Sequence, residues 1–252
     1  MRQEGHPMAS NVSVSIFYPF YNDWGTMGSM VLLTLRTAER LGLDYDLTIV
    51  NDGSRGSQNE AVLDAIRERF PEVRIIEHKQ NGGYGAALRS GFAHATKEWI
   101  FYTDGDAQYD VCELERLIEK AGPDVDLVQG YKIARNDPLH RKIIGRVYHY
   151  LVKTAFGLNV RDTDCDFRLI RREGFQQLGL TSNSGTICLE MMYRVKQARF
   201  RIVEVPVHHF QRAHGKSQFF NFPRLFKTLR QLVALWVREV LLAAEVEVAN
   251  PR

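Results

Sequence analysis

The chain has 252 residues, 44% hydrophobic and 25% charged, with 33 Lys+Arg against 30 Asp+Glu and a formal net charge of +3. That length suits one large or two small domains with an ordinary core; the composition excludes a disordered chain, and the small charge argues against a nucleic-acid binder. Three cysteines (Cys112, Cys165, Cys188) with no CxxC pair exclude a disulfide framework and predict a reducing, cytosolic compartment.

In chain order, Val12–Phe17 is a β-branched run expected to stop at Pro19, which lacks an N–H for a ladder. Gly28–Leu41 carries Met30, Leu33, Ala38 and Leu41 at helical spacing. Asp46–Val50 is the next strand, closed by Asn51-Asp52-Gly53-Ser54, a turn sequence. A helix over Glu60–Phe70 and a short strand over Val73–Glu77 follow. Asn81-Gly82-Gly83-Tyr84-Gly85 then opens a helix reaching about Ala95, and Trp99–Thr103 is a strand ending in Asp104-Gly105-Asp106-Ala107-Gln108. Helix Val111–Ala121 and strand Leu127–Gly130 complete the regular half. Strands separated by single helices predict a mostly parallel sheet with helices on both faces, whose ligands bind beyond the carboxyl ends of the strands.

The second half is less regular. Leu139–Phe156 reads as a long basic-faced helix, Asp162–Arg172 as a charged segment around Phe167, Gly185–Ala198 as a helix and Arg201–Val207 as a strand. Apolar residues from Phe222 to Val240 recur at helical steps, with Arg224, Lys227, Arg230 and Arg238 on the polar side. No run reaches the roughly 20 apolar residues that span a bilayer. Leu232–Val237 stops at Arg238 and Glu239, and Met1–Ser10 lacks the apolar centre of a signal peptide.

Asp104, Asp106 and Gln108 offer hard oxygen ligands to Mg²⁺ or Mn²⁺, or serve as a turn capping the next helix. The glycines at 82, 83 and 85 allow either a phosphate against a helix N-terminus or close packing of backbone. The loop is neither a Walker A motif nor GxGxxG. Asp52 is a candidate acceptor for a nucleobase or ribose. Arg168 beside Phe167, and the basic Arg212–Ser217 stretch with its glycine, suit phosphate contacts and a mobile lid. His208, His209 and His214 lack the spacing of a zinc site, and no Ser/His/Asp layout is visible.

The ordered set Pro19-Phe20-Tyr21-Asn22-Asp23, Asn51–Ser54, Asn81–Ala87 with Gly91, Asp104–Gln108, Arg135–Pro138, Asp164-Cys165-Asp166-Phe167-Arg168, Val205-Pro206 and Arg212–Ser217 resembles the inverting family 2 glycosyltransferases of GT-A fold. Within them it is similar to the dolichyl- and polyprenyl-phosphate mannose or glucose synthases. The resemblance covers roughly residues 12 to 220 and implies an α/β, Rossmann-like fold moving a hexose from a nucleotide sugar (GDP-mannose or UDP-glucose type) to a polyprenyl phosphate.

It implies that Pro19, Tyr21, Asn22, Asp23, Asp52, Gly83 and Asp104 line the nucleotide-sugar pocket, and that Asp104, Asp106 and Gln108 hold Mg²⁺ or Mn²⁺. Lys132, Arg168, Arg212, Lys216 and Ser217 would surround the donor and acceptor phosphates, with Arg212, Lys216 and Ser217 on a lid at residues 211–218. Asp104, Asp106, Arg168, Arg212 and Lys216 would carry catalysis. Three positions depart from the family pattern: Asp23 stands for Glu, Lys132 for Arg, and Asp166 for a glycine. The expected organisation is a flexible N-terminus (1–11), one domain (12–220, with a nucleotide-sugar half at 12–130 and an acceptor half at 131–220), and an amphipathic helix and tail (221–252). The helix Phe222–Val240 is expected to lie on a membrane surface, with packing on the domain or in a homodimer as alternatives, and the protein on the cytoplasmic face. A soluble enzyme acting on a hydroxyl, or a catalytically silent nucleotide-sugar-binding or membrane-scaffold subunit, are the other readings.

Overall fold

A computed structural model describes residues 12–133, 149–212 and 222–241. Seven strands form one sheet in the order β3-β2-β1-β4-β6-β5-β7. They are β1 (Ser13–Phe20), β2 (Asp44–Asn51), β3 (Arg74–Glu77), β4 (Trp99–Thr103), β5 (Leu127–Ile133), β6 (Phe167–Arg171) and β7 (Ile202–His208). Helices α1 (Trp24–Arg40), α2 (Ser57–Arg69) and α3 (Tyr84–His94) connect the first four strands, and short α4 (Leu114–Ile118) precedes β5. Helix α5 (Ile187–Gln197) precedes β7, and α6 (Phe222–Trp236) follows it. The α/β class and mostly parallel sheet expected from the sequence are present.

Buried parallel strands need apolar side chains on both faces. β1 is buried from Val14 to Phe20, and every residue of β4 is buried. On one face Phe17 stacks on Tyr102 (ring centroids 5.5 Å apart) and meets Phe92 edge-on at 5.1 Å. Such aromatic pairs add roughly 0.5–1.5 kcal/mol each beyond burial.

Three departures from expectation matter. β1 runs through Pro19 because its pairing with β4 ends at Phe17, leaving β2 as its partner there; a proline without an N–H is tolerated where one side of the strand is unpaired. The charged segment Asp162–Arg172, for which no strand was expected, contains β6, antiparallel to both β4 and β5. The helix expected over Val111–Ala121 is a 3₁₀ turn (Val111–Glu113) followed by the five residues of α4. Of the predicted helix Leu139–Phe156, residues 149–156 are helical and the remainder lies outside the described residues.

The C-terminal helix gives way to a π-helical turn over Val237–Leu241. Leu235 is buried, Leu232, Trp236 and Val240 pack on the core, and Trp236 Nε1 donates to the Ala155 carbonyl (2.9 Å). Arg194 pairs with Glu239 (2.8 Å) and Glu190 (3.1 Å), and Arg238 pairs with Glu190 (2.9 Å), fastening the turn to α5. One face of this element therefore belongs to the domain. Leu229 and Val233, one helical turn apart, are exposed. Among the described residues no helix is long and apolar enough to cross a membrane.

Candidate functional site

Six strands run in one direction, so their carboxyl ends share an edge, and reversed β6 begins at that same edge. Every polar loop singled out in the sequence opens there.

At the β1–β3 end, Asn22 takes a left-handed backbone (φ 62°). Its N–H donates to Ser54 Oγ (3.1 Å), and its Oδ1 accepts from Asn59 Nδ2 (3.0 Å). This ties the loop after β1 to the loop after β2 and leaves Tyr21 half exposed. Asp52 differs from expectation: it is buried and its carboxylate is used internally. Oδ1 accepts from the Gly82 N–H (2.8 Å) and from His78 Nδ1 (2.7 Å), while Oδ2 accepts from the Gly83 N–H (2.9 Å). The Gly83 N–H thus faces a protein carboxylate rather than a ligand phosphate. A side chain on Gly83, whose φ is 94°, would strike the Asn183 carbonyl, and Gly85 N–H donates to that carbonyl (2.9 Å). The glycines serve close packing at the start of α3. His78 Nε2 lies 2.8 Å from Ser90 Oγ, completing a Ser/His/Asp chain that the sequence does not display. With Asp52 consumed by the turn and Ser90 within α3, that chain is a cross-brace between loop and helix. Beside it, Asn51, Ser54, Arg55, Glu77, His78 and Lys79 line a cavity of about 280 Å³.

At the end of β4 the pattern inverts. Asp104 Oδ1 accepts from Tyr84 Oη–H (2.7 Å). Asp106 is buried; Oδ1 accepts from the Gln108 N–H (3.0 Å), and Oδ2 lies 2.6 Å from an Arg212 guanidinium nitrogen. Arg212 also reaches Asp23 at 3.5 Å. Thr26 Oγ1 donates to the Gly105 carbonyl (2.6 Å) and pins the turn to α1. Burial, with the charge of Asp166 and of Asp106 itself, pushes Asp104 well above the usual carboxylate range. Burial also raises Asp106, against the opposing pull of Arg212. The paired carboxylates, Asp106 buried and Asp104 partly so, offer oxygens to a cation, and the Arg212 guanidinium sits on Asp106. Gln108 Nε2 donates to the Phe210 carbonyl (3.0 Å) and props the segment after β7, a bond that does not involve its Oε1, the atom a metal would take. Among the described residues no group of three His, Cys, Asp or Glu is placed to hold a metal. Two carboxylates fit a divalent ion that takes its other ligands from diphosphate oxygens and water.

At the β6–β5 end, Arg168 is wholly buried. Its Nε donates to Gln129 Oε1 (2.7 Å), one terminal nitrogen to Asp166 Oδ1 (2.8 Å) and to the Tyr102 hydroxyl, and the other to the Thr163 carbonyl (2.8 Å). Arg168 is therefore spent inside the protein, which corrects its expected contact with phosphate. Lys132 Nζ donates to the Asp164 carbonyl (2.6 Å), with the Asp162 carboxylate at 3.7 Å. Lys216 and Ser217 lie outside the described residues. His208 meets Glu113 through both its N–H and Nδ1 (2.7 Å each). The structural roles of His78, Tyr84, Tyr102 and Gln129 are not legible in the sequence, since each depends on a partner at least 20 residues away.

The model of the family described as Glycosyl transferase family 2 matches residues 15–179, more than half of the chain. The chain is a family 2 glycosyltransferase. The matched span holds both Asp104 and Asp106. It is 28% identical over 220 residues to the undecaprenyl-phosphate 4-deoxy-4-formamido-L-arabinose transferases of Salmonella paratyphi B and Salmonella newport, covering 87% of this chain and 66% of each relative. This family 2 chain thus spans just under two thirds of those relatives' length. Among solved structures it is similar to glucosyl-3-phosphoglycerate synthase from Mycobacterium tuberculosis in complex with phosphoglyceric acid (TM-score 0.69, 16% identity, 94% of this chain and 85% of that one). The same synthase with Mn²⁺, uridine diphosphate and glucosyl-3-phosphoglycerate gives a TM-score of 0.67 at 15% identity, again over 94% and 85%. At these identities the structural likeness establishes the fold.

Proposed function

We propose that this enzyme moves a hexose of mannose or glucose type from a nucleoside-diphosphate sugar to a polyprenyl phosphate, inverting the anomeric carbon. The observation that carries the reading is Arg212 seated on Asp106. The segment after β7 reaches buried Asp106 at the end of β4, so lid residue and leaving-group site meet at one point. A Mg²⁺ or Mn²⁺ ion held by Asp104 and Asp106 would neutralise charge on the departing diphosphate. Arg212 would add a second cation there. The bond from the anomeric carbon to the diphosphate breaks while an acceptor phosphate oxygen bonds that carbon from the opposite face. A phosphate monoester is largely ionised at neutral pH, its second pKa being about 6, so no protein base is required. Positioning and charge do the chemistry.

The names of the Salmonella relatives, which act on undecaprenyl phosphate, support the acceptor class. The Mn²⁺ and uridine diphosphate bound to the M. tuberculosis synthase support the donor class. Attachment to a membrane surface is supported by exposed Leu229 and Val233 on α6, together with exposed Tyr150 and Leu151 on the helical segment that receives the Trp236 hydrogen bond. A hydroxyl acceptor is the second reading, favoured by Asp166, a carboxylate able to act as base.

The test is a donor-by-acceptor screen. Protein with Mn²⁺ or Mg²⁺ meets GDP-mannose and UDP-glucose, each with and without undecaprenyl phosphate. Sugar appearing in the lipid fraction is expected. Donor hydrolysis without lipid product would move the acceptor to a hydroxyl, and silence toward both donors would reject the donor class.

A further inference from the structure

We propose that Asp166 is a donor-sugar specificity residue, its free carboxylate oxygen accepting hydrogen bonds from sugar hydroxyls. This rests on the nucleotide-sugar reading of the same site and goes further by naming the group that reads the sugar.

Strand register places the residue. Thr103 pairs with Phe167 in the antiparallel β4–β6 ladder, so Asp104 and Asp166, the next residues outward, stand opposite one another. Gln129 pairs with Arg168, which carries the same row on toward the end of β5 and Lys132. Along the sheet edge the order is then the cavity beside His78, the Asp104–Asp106 pair, Asp166, and Lys132. Neighbouring strands are about 4.8 Å apart, close to the width of one pyranose ring. A donor whose diphosphate lies at the end of β4, with its nucleoside over β1–β3, has its sugar over the start of β6.

The chemistry agrees with the position. Asp166 Oδ1 takes hydrogens from Arg168 (2.8 Å), the Tyr102 hydroxyl (3.3 Å) and the Cys188 thiol (3.0 Å), whereas Oδ2 makes no hydrogen bond to a described residue. Three donors on one oxygen lock the side chain, and its 15% exposure leaves the carboxylate open to the site. A fixed carboxylate there repels phosphate and attracts hydrogen-bond donors, and sugar hydroxyls are the donors that arrive with this substrate. Sites built to bond a hydroxyl discriminate strongly against analogues lacking it.

The test is calorimetric titration of the full chain and of Asp166→Asn, with Mn²⁺ present, against UDP, UDP-glucose, GDP and GDP-mannose. The expected result is a tenfold or greater loss in affinity for the sugar donor that binds, with the matching nucleoside diphosphate changed less than twofold. Equal losses for both, or no loss for the sugar donor, overturn the proposal. Should the variant fail to fold, the unmodified chain is titrated with donors lacking single sugar hydroxyls. A fivefold loss or more at one hydroxyl sustains the proposal, and smaller losses at every hydroxyl overturn it. The readout needs no acceptor, so a wrong polyprenyl assignment leaves it intact. An unmodified chain that binds none of the four ligands removes the donor class and this inference together.

Discussion

Two turns at the same sheet edge carry an Asp-Gly pair, and the structure treats them in opposite ways. After β2, Asp52 is saturated by the Gly82 and Gly83 N–H groups and by His78. After β4, buried Asp106 and half-buried Asp104 are held above the usual carboxylate range, and an arginine from beyond β7 pairs with Asp106. A carboxylate whose donors come from its own fold is part of the scaffold; one whose deficit remains is where a ligand's charge is received. Glu190 belongs with Asp52, because it accepts from the Thr181 and Ser182 N–H groups and the Thr181 hydroxyl, and pairs with two arginines.

The largest expected effect breaks the comparison if it fails. Asp106→Asn should lower turnover about 1,000-fold, roughly 4 kcal/mol of barrier at 1.36 kcal/mol per tenfold, while thermal unfolding shows no loss of stability. Near-normal turnover in a donor-consumption assay would move the leaving-group site elsewhere. Glu190→Ala should do the converse. Arg194 and Arg238 keep Glu239 as a partner but lose Glu190, and the Thr181 and Ser182 N–H donors are orphaned. The cost is about 1–3 kcal/mol, read by urea unfolding, with the KM for donor little changed in the folded fraction.

Glu190 also sets a pH dependence. Burial opposes its ionisation, but the hydrogen bonds from Ser182 and Thr181 outweigh it and hold the carboxyl below its ordinary 4.5. A carboxyl depressed in the folded state releases its proton more readily there than in the unfolded chain. Its contribution is therefore complete above pH 4.5 and is lost as pH falls below that value toward the folded pKa. Unfolding free energies measured between pH 6 and pH 3 should fall less steeply for Glu190→Gln than for the unmodified chain.

The first half of the fold was legible because parallel strands buried on both faces read as near-continuous apolar runs, as in Ile16–Tyr18 and Trp99–Tyr102. β6 was not, because Arg168 interrupts its run, and a buried arginine is intelligible only once Gln129, Tyr102 and Asp166 surround it. The polar loops at strand ends pointed to this edge, where Asp104 and Asp106 lie, and the basic stretch beginning at Arg212 reaches the same place. The separate duties of Asp52 and Gln108 were hidden, for an Asp-Gly turn looks the same whether its donors are backbone N–H groups or a bound cation. Asp52→Ala measures the difference directly. It orphans the Gly82 and Gly83 donors at about 1–3 kcal/mol, so it should lower the urea midpoint and unsettle α3 before it affects metal binding.

The smallest effect tests whether Arg212 occupies the place of a cation. Its guanidinium is 32% exposed and pairs with Asp106 at 2.6 Å, so solvent screens much of the attraction. A divalent ion binding Asp106 without nucleotide must compete with that pairing. Arg212→Gln should therefore bind Mn²⁺ about three- to tenfold more tightly in a nucleotide-free titration, a gain of roughly 1 kcal/mol at 1.36 kcal/mol per tenfold, while turning donor over more slowly for want of the second cation. Weaker Mn²⁺ binding in the variant would mean that Arg212 orders the Asp104–Asp106 turn rather than competing for it. Asp106 would then join Asp52 as a carboxylate organised by its own fold, and the contrast between the two turns would lose its physical basis.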